Sequence, residues 1–206
     1  MKFNIIACIN QVLCLGKGND LMYHISNDLK NFKSITLNGV IIMGKKTYDS
    51  LPKKPLPHRV NIVITSDKDF NPKDCIVVHS IEECIELCER MYHNVPCYVI
   101  GGASIYQQFI DRDLVDTMYI TEVTDTTEGD VYFPNVLMDT DKWRIFYRSD
   151  TQHDRVNKLT YFFTIYKENN VKGILMQGNF SYGGKGYFDE LKSDILILKI
   201  TYTGVK

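Results

Sequence analysis

The sequence contains 206 residues, with 24 lysines and arginines against 25 aspartates and glutamates, so its formal net charge is −1. A net charge this close to zero is not typical of a nucleic-acid-binding protein, and the sequence has no cluster of basic residues. No apolar run reaches the roughly 18 residues that a membrane-spanning helix needs. The apolar stretch at the N-terminus is too short for a secretory signal and predicts a strand. We therefore expect a soluble cytoplasmic protein large enough to form a real hydrophobic core, binding neither nucleic acid nor membranes.

Short runs rich in Ile, Val, Tyr and Phe alternate with helix-like segments, a pattern typical of an α/β protein. Strands are predicted at 3–9, 40–43, 61–65, 76–79, 98–100, 117–124, 144–148 and 159–166. Helices are predicted at 27–37, 46–51, 81–92 and 103–110. Several strands are almost wholly apolar, as expected when helices cover both faces of a sheet.

The character of the sequence changes after residue 168. Residues 171–206 contain six of the thirteen glycines and include a predicted strand at 195–203. We interpret 1–168 as one domain and 169–206 as a Gly-rich extension of unknown role. The extension is either a hairpin lying on the main domain or an edge strand used for self-association, since unpaired strand edges recruit partners. A monomer and a homodimer both remain open.

The cysteines raise the question of a metal site. Cys84, Cys88, His93 and Cys97 have a superficially zinc-like spacing. However, Ile81, Cys84 and Cys88 fall at i, i+3 and i+7, the spacing of the buried stripe of a helix. Free cysteine packs as a small apolar side chain. The sequence therefore predicts core packing here and no metal.

Two strand-to-helix joints are candidate phosphate sites. At the first, a buried strand runs into Gly101 and Gly102 and then into a helix, whose free N–H groups suit an anion. At the second, Gly44 precedes Lys45 and Lys46, whose charges oppose the helix dipole unless an anionic ligand offsets them. Each joint alone could be a plain turn with solvated lysines. Together they favour a dinucleotide.

Asp28 is the candidate catalytic carboxylate. With Ser26 as the expected helix cap, Asp28 lies on the same face as Phe32 and Ile35, which should be buried. A carboxylate on an apolar face is costly unless it has a partner. Asp28 is therefore either an acid favoured in the first helical turn or a group that binds a cationic or amide-like ligand edge.

The order of these residues resembles the dihydrofolate reductase family over about residues 3–167. The resemblance is carried by Ile6-Ala7-Cys8, Leu15-Gly16, Asp28-Leu29-x-x-Phe32, Val40-Ile41-Ile42-Met43-Gly44, Thr47, Arg59, Ile100-Gly101-Gly102-Ala103, Thr121 and Glu128-Gly129-Asp130-Val131-Tyr132-Phe133-Pro134. It implies a single-domain α/β fold with a mostly parallel mixed sheet of about eight strands, an antiparallel C-terminal strand and helices on both faces. It also implies NADPH-dependent reduction of 7,8-dihydrofolate to 5,6,7,8-tetrahydrofolate, which serves one-carbon metabolism and thymidylate synthesis.

The resemblance also implies roles for individual residues. Asp28 is expected to hold the amino-pyrimidine edge of the pterin and to favour protonation of the neighbouring ring nitrogen. Thr121 is expected to orient Asp28, and Arg59 to pair with the α-carboxylate of the folate glutamate. Further substrate contacts are expected from Ile6, Ala7, Leu29, Phe32, Leu51, Ile100 and Tyr106. Cofactor contacts are expected from Cys8, Leu15, Gly16, Gly44, Lys45, Lys46, Thr47, Thr65, Ser66, Gly101, Gly102, Ala103, Ser104 and Ile105.

The loop around residues 16–24 departs from the family. Met22-Tyr23 stand where the family usually has Pro-Trp, whose tryptophan helps to hold an ordered water near the pterin. The Tyr23 hydroxyl is both donor and acceptor, so we expect it to take this catalytic role in an active enzyme with altered loop kinetics or inhibitor affinity. Asp130 is expected to anchor this loop. The Gly101-Gly102 bond is expected to be cis, as in the family.

Other functions remain open at this point. A pyrimidine reductase of riboflavin synthesis shares the fold and NADPH but lacks the combination of Asp28 with Arg59. An inactive relative could bind folate or a partner, although a pure scaffold would have no use for a buried carboxylate. A third alternative is the reductase arm of a bifunctional protein joined to thymidylate synthase. Nothing in residues 171–206 matches that second enzyme.

Overall fold

The structure is a computed structural model that describes residues 1–169. Its strands are β1 (Phe3–Asn10), β2 (Cys14–Lys17), β3 (Asp20–Leu21), β4 (Val40–Gly44), β5 (Val60–Ile64), β6 (Ile76–Val78), β7 (Cys97–Gly101), β8 (Val115–Val123), β9 (Val131–Tyr132), β10 (Trp143–Arg148), β11 (Gln152–Asp154) and β12 (Leu159–Glu168). Its helices are α1 (Ser26–Thr36), α2 (Lys45–Ser50), α3 (Ile81–Met91) and α4 (Ala103–Asp111). The predicted strand at 195–203 lies outside the described residues.

The main sheet has the order β10-β12-β8-β1-β7-β4-β5-β6, with β11 paired to β12 as a ninth strand. The pairs from β8 to β6 are all parallel, whereas β12 runs antiparallel to β8 and β10. The predicted mixed, mostly parallel α/β sheet is therefore confirmed. All eight predicted strands are present. The additional strand β11 reads Gln-His-Asp, which has no apolar alternation by which the sequence could have indicated it.

Each face of the sheet has its own core because side chains alternate along a strand. Ile5 packs on the face covered by α3 and α4, whereas its neighbour Ile6 packs on the other face, which Ile35 of α1 helps to cover. Helices thus cover both faces, as predicted. None of the four helices within residues 1–169 is long and apolar enough to cross a bilayer.

The cysteines of α3 pack in the first of these cores. Cys84 and Cys88 are fully buried and Cys97 is 1% exposed, while His93 is exposed to solvent. Within residues 1–169, no group of three or more His, Cys, Asp or Glu side chains is arranged to hold a metal ion. The prediction that these cysteines pack in the core is therefore confirmed.

A second sheet, ordered β3-β2-β9, was not predicted because strands of two to four residues are too short to show periodicity. It joins the loop before α1 to the segment around Gly129 and Asp130. The backbone N–H of Gly18 donates to Asp130 Oδ2 at 2.9 Å, so Asp130 contacts this loop as expected. A Cβ atom at Gly129 would lie 2.3 Å from the Gly16 carbonyl oxygen, so only glycine fits there.

The start of α1 differs from the prediction. Ile25, not Ser26, is the N-cap residue, and no side chain caps the helix. Ile25 is 1% exposed and belongs to the core that faces α1. The burial of its side chain fixes where the chain enters the helix, and this apolar contact takes precedence over the capping preference of serine.

Candidate active site

The candidate site lies at the carboxyl ends of the parallel strands, where ligands bind in open α/β sheets. β4 and β7 are neighbours, and each runs directly into a helix, β4 into α2 and β7 into α4. Their final glycines therefore lie side by side, since a Cβ atom at Gly44 would be 4.0 Å from the Gly101 carbonyl oxygen. The two phosphate-binding joints predicted separately thus form one region.

Asp28 lies in the first turn of α1 and faces β8. Thr121 Oγ1 donates a hydrogen bond of 2.5 Å to Asp28 Oδ1, across 93 residues of sequence. Thr121 is 5% exposed and is paired within the sheet near the C-terminal end of β8, so its hydroxyl has a fixed place. The orienting contact expected between these two residues is present.

The surroundings of Asp28 favour its protonated form. Removal from water raises the pKa of the Asp28 carboxyl from 3.8 to about 6, although the hydrogen bond from Thr121 acts in the opposite direction. Burial, and to a smaller extent the negative charge of Asp28, raises the pKa of the Cys8 thiol. A carboxyl with a pKa near 6 exchanges a proton readily at neutral pH, which suits acid–base chemistry.

Three of the apolar residues expected to line the substrate region pack beside the second core. Ile6, Leu51 and Ile100 are half-buried there, as is Cys8, which is expected to contact the cofactor. Leu29 is 43% exposed on α1, a high value for an apolar side chain beside a half-buried carboxylate. Ala7 is 9% exposed, and Tyr106 is buried with its hydroxyl donating to the Ile6 carbonyl at 2.8 Å.

Arg59 is held beside Phe32, another predicted substrate contact. Its Nη1 donates to Thr36 Oγ1 at 3.1 Å and its Nε to the Pro57 carbonyl at 3.1 Å. The guanidinium carbon lies 5.8 Å from the centre of the Phe32 ring. Partial burial lowers the pKa of Arg59, which nevertheless stays charged at neutral pH. These contacts orient the planar guanidinium and leave Nη2 as a further donor.

The glycine joints present backbone rather than side chains. The Gly101-Gly102 bond is cis, as expected, and Gly101 has a φ of +118°. Gly102 is the N-cap of α4 and Gly44 that of α2, and neither helix has a side-chain cap. A Cβ atom at Gly102 would meet only Thr47 Oγ1, at 3.4 Å. Uncapped N–H groups beside a half-buried hydroxyl suit a phosphate.

The other residues expected to contact the cofactor flank these joints. Leu15 packs against the first core from β2, where its neighbour Gly16 is buried. Lys45 is paired with Asp49 at 3.3 Å and lies 5.1 Å from the centre of the Phe70 ring. The remaining residues are either in the first turns of α2 and α4 or directly after β5: Lys46, Thr47, Ala103, Ser104, Ile105, Thr65 and Ser66.

Tyr23, which is expected to take a catalytic role, makes two side-chain hydrogen bonds. Its hydroxyl donates to Asp125 Oδ2 at 2.5 Å and accepts from Asn10 Nδ2 at 2.9 Å. A hydroxyl has one hydrogen to donate, so in this structure Tyr23 does not donate to a water beside Asp28. Sequence reasoning missed Asn10 and Asp125 because nothing in either neighbourhood indicates a partner 13 or 102 residues away.

Comparison with known proteins agrees with this geometry. The family model described as dihydrofolate reductase matches residues 2–168. The chain belongs to the dihydrofolate reductase family. It is 37% identical to the dihydrofolate reductase of Bacillus subtilis over 156 residues. That aligned region covers 76% of this chain and 88% of the Bacillus protein. It is 41% identical over 144 residues to that of Neisseria gonorrhoeae, covering 70% of this chain and 85% of that protein.

A solved structure gives the same result. The dihydrofolate reductase of Enterococcus faecalis, complexed with NADP(H) and RAB-propyl, matches with a TM-score of 0.72 and 28% identity. The match covers 82% of this chain and 97% of that one. The resemblance noted from Asp28, Arg59 and the glycine joints is therefore confirmed. This chain is an NADP-dependent oxidoreductase of the dihydrofolate reductase type.

Proposed function

We propose that this enzyme reduces 7,8-dihydrofolate to 5,6,7,8-tetrahydrofolate with NADPH, through Asp28. The observation that carries the proposal is the half-buried carboxyl of Asp28, held by Thr121 at 2.5 Å and bordered by apolar residues. Such a carboxyl matches the amino-pyrimidine edge of a pterin, which offers N–H donors in one plane. A riboflavin-type pyrimidine reductase has no need for this carboxyl together with Arg59.

The residues at the glycine joints fit NADPH. Gly102 and Gly44 leave the N–H groups of two neighbouring helix starts uncapped, and Thr47 adds a hydroxyl beside them. These groups would hold the diphosphate, while Lys45, Lys46 and Ser66 would surround the 2′-phosphate and select NADPH over NADH. When bound there, NADPH supplies the hydride that adds to the pterin ring.

Asp28 would bind the pterin and favour protonation of the neighbouring ring nitrogen of the pterin. Thr121 occupies Oδ1, so Oδ2 and the remaining lone pairs of the carboxylate are directed to the ligand. The pKa of about 6 lets Asp28 hold a proton part of the time at neutral pH. Apolar neighbours such as Ile6 and Ile100 exclude water, which strengthens the polar contact and favours the protonated ring nitrogen.

Arg59 would bind the glutamate end of the substrate. The side chain is oriented by Thr36 and by the Phe32 ring, with its planar guanidinium available for a bidentate carboxylate pair.

Replacing Arg59 by lysine is expected to raise the KM for dihydrofolate about tenfold or more, with kcat within about threefold, because a lysine cannot form the bidentate pair. Steady-state kinetics would measure both constants. A pterin substrate without the glutamate serves as the control, and its KM should not change. An equal rise of KM for both substrates would contradict the assignment.

The proposed activity is tested by the oxidation of NADPH in the presence of dihydrofolate, followed by near-ultraviolet absorbance, with NADH for comparison. We expect turnover that prefers NADPH. If well-folded protein shows no turnover, a folate-binding titration distinguishes an inactive folate-binding relative from a protein of different specificity, and either result would overturn the proposal.

We also propose that residues 1–168 are the catalytic domain. β12 ends at Glu168, whose carboxylate accepts from Lys2 Nζ at 3.2 Å, so the last described strand is tied to the first. Deleting residues 170–206 is expected to leave kcat and both KM values within about twofold, because the site residues all precede β12. Kinetics and solution mass of the shortened chain would measure this. A loss of turnover with the fold retained would place part of the site in the extension.

A further inference from the structure

The hydroxyl of Tyr23 lies at a junction of three chain segments. Besides donating to Asp125 Oδ2, it accepts from Asn10 at the end of β1. Asn10 is 3% exposed, and its Nδ2 also donates to the Thr127 carbonyl at 2.8 Å. Its Oδ1 accepts from the backbone N–H of Cys14 at 2.9 Å. Backbone groups of Thr127 and Cys14 therefore fix the Asn10 amide, which in turn holds the tyrosine hydroxyl.

This junction joins the same two segments as the contact between Asp28 and Thr121. Tyr23 precedes Asp28 by five residues, and Asp125 follows Thr121 by four. Two hydrogen bonds, each of 2.5 Å, therefore tie the segment entering α1 to the end of β8. A segment tied at two points has much less freedom than one tied at a single point, because the second contact closes only a short loop.

The bond between Tyr23 and Asp125 involves a charged partner in a sheltered place. Tyr23 is 9% exposed, and its hydrogen bond is the largest cause of a lowered pKa at Asp125, so Asp125 is ionised at neutral pH. Hydrogen bonds to charged groups contribute more than neutral ones. Phenylalanine would fill the same space without the hydroxyl, which makes this contact separable from packing.

We infer that Tyr23 is a positioning residue, which acts through Asp125 to hold residues 22–25 and the start of α1 against β8, so that Asp28 is presented to the substrate. The inference rests on the proposed function, because it assigns the purpose of the contact to the substrate site. In this role the Tyr23 hydroxyl does not hold a water near the pterin. It acts on catalysis through the position of Asp28.

The test is a comparison of Tyr23→Phe with wild type in steady-state and single-turnover kinetics. Tyr23→Phe is expected to raise the KM for dihydrofolate about tenfold, the range for one hydrogen bond to a charged group, while the single-turnover rate at saturation changes less than threefold. Asp125→Asn keeps an oxygen that accepts from Tyr23 and is expected to give a smaller rise. The double variant Tyr23→Phe/Asp125→Ala is expected to be no worse than Asp125→Ala alone.

Tyr166→Phe is the matched control. Tyr166 is 8% exposed and donates to Glu122 Oε1 at 2.6 Å, so it too is a buried tyrosine bonded to a carboxylate, which here lies within β8. Its loss should lower thermal stability by a similar amount but leave the KM for dihydrofolate unchanged. An equal rise of KM in both variants, or additive effects of Tyr23→Phe and Asp125→Ala, would overturn the inference.

A second readout does not depend on turnover. Lys17 is exposed in β2, six residues before Tyr23, in the loop that leads to the held residues. Trypsin cleavage after Lys17, identified by mass spectrometry, is expected to be about tenfold faster in Tyr23→Phe than in wild type, and unchanged in Tyr166→Phe. Faster cleavage of Tyr23→Phe than of wild type, in a protein whose wild type has no reductase activity, would contradict the proposed function alone. Unchanged cleavage and unchanged KM in an active enzyme would contradict only the role of Tyr23.

Discussion

Replacing Asp28 by asparagine is expected to lower the single-turnover rate of dihydrofolate reduction by about 10²- to 10⁴-fold, the usual contribution of a positioned acid–base group. The amide keeps the size of the side chain and can still accept from Thr121, so the fold should be retained. In wild type, kcat/KM is expected to fall as the pH rises above about 6, the pKa of Asp28. The variant should lack this inflection. A variant rate within threefold of wild type would exclude Asp28 as the reacting group.

The same substitution is expected to stabilise the unliganded protein. The folded-state pKa of Asp28, about 6, lies above the ordinary value of 3.8, so the folded protein binds this proton more tightly than the unfolded chain. Stability from this group is therefore present below about pH 4 and is lost as the pH rises through 6. At pH 7.5 the Asn variant should be more stable by about 1–2 kcal/mol, after allowance for the partial exposure of Asp28.

Urea unfolding at pH 7.5 and at pH 4 measures this effect, and the difference between variant and wild type should disappear at the lower pH. Asp113 provides a control of opposite sign. The ammonium groups of Lys142 and Lys2 lower the pKa of Asp113 to about 2. Asp113→Asn should therefore lose stability relative to wild type at neutral pH. If Asp28→Asn were less stable than wild type at pH 7.5, the raised pKa of Asp28 would be wrong.

Two single variants, Gly101→Ala and Gly102→Ala, are expected to differ in effect: the first lowers stability and the second weakens cofactor binding. Gly101 has a φ of +118°, where any other residue is strained, and its Cβ atom would lie 3.3 Å from the Tyr106 hydroxyl. Gly101→Ala should therefore lower the free energy of unfolding by about 1–3 kcal/mol. Gly102 has a φ of −77°, and its Cβ atom would make only an ordinary contact with Thr47. Gly102→Ala should change the free energy of unfolding by less than about 1 kcal/mol.

Gly102→Ala, which should change stability little, is expected to weaken the binding of NADPH. A methyl group there would stand between the first N–H groups of α4 and Thr47, where we propose that the diphosphate lies, and should raise the Kd for NADPH about tenfold or more. Urea unfolding and a fluorescence titration with NADPH measure the two quantities separately. Unchanged NADPH affinity in a stable Gly102→Ala variant would exclude this location for the diphosphate.

The sequence by itself determined the fold class and the family. The alternation of apolar strands with amphipathic helices predicted eight of the nine strands of the main sheet, because burial of one face leaves a period in the chain and burial of both faces leaves a continuous apolar run. It also explained the cysteines of α3 as core residues. The motifs around Asp28, Gly44, Arg59 and Gly101 indicated the family, since they occur in its order: two strand-to-helix joints, a carboxylate on an apolar helix face and an arginine before a strand.

Only the tertiary structure decided the partners of individual polar groups. Asn10, Tyr23 and Asp125 have no feature in sequence that links them, and the short strands β2, β3 and β9 have no period to detect. The reason is physical. Hydrophobic burial is non-directional and leaves a pattern that any suitable neighbour satisfies, whereas a hydrogen bond requires one donor and one acceptor within about 3 Å. For Tyr23, that partner depends on where the fold places residues 102 positions apart.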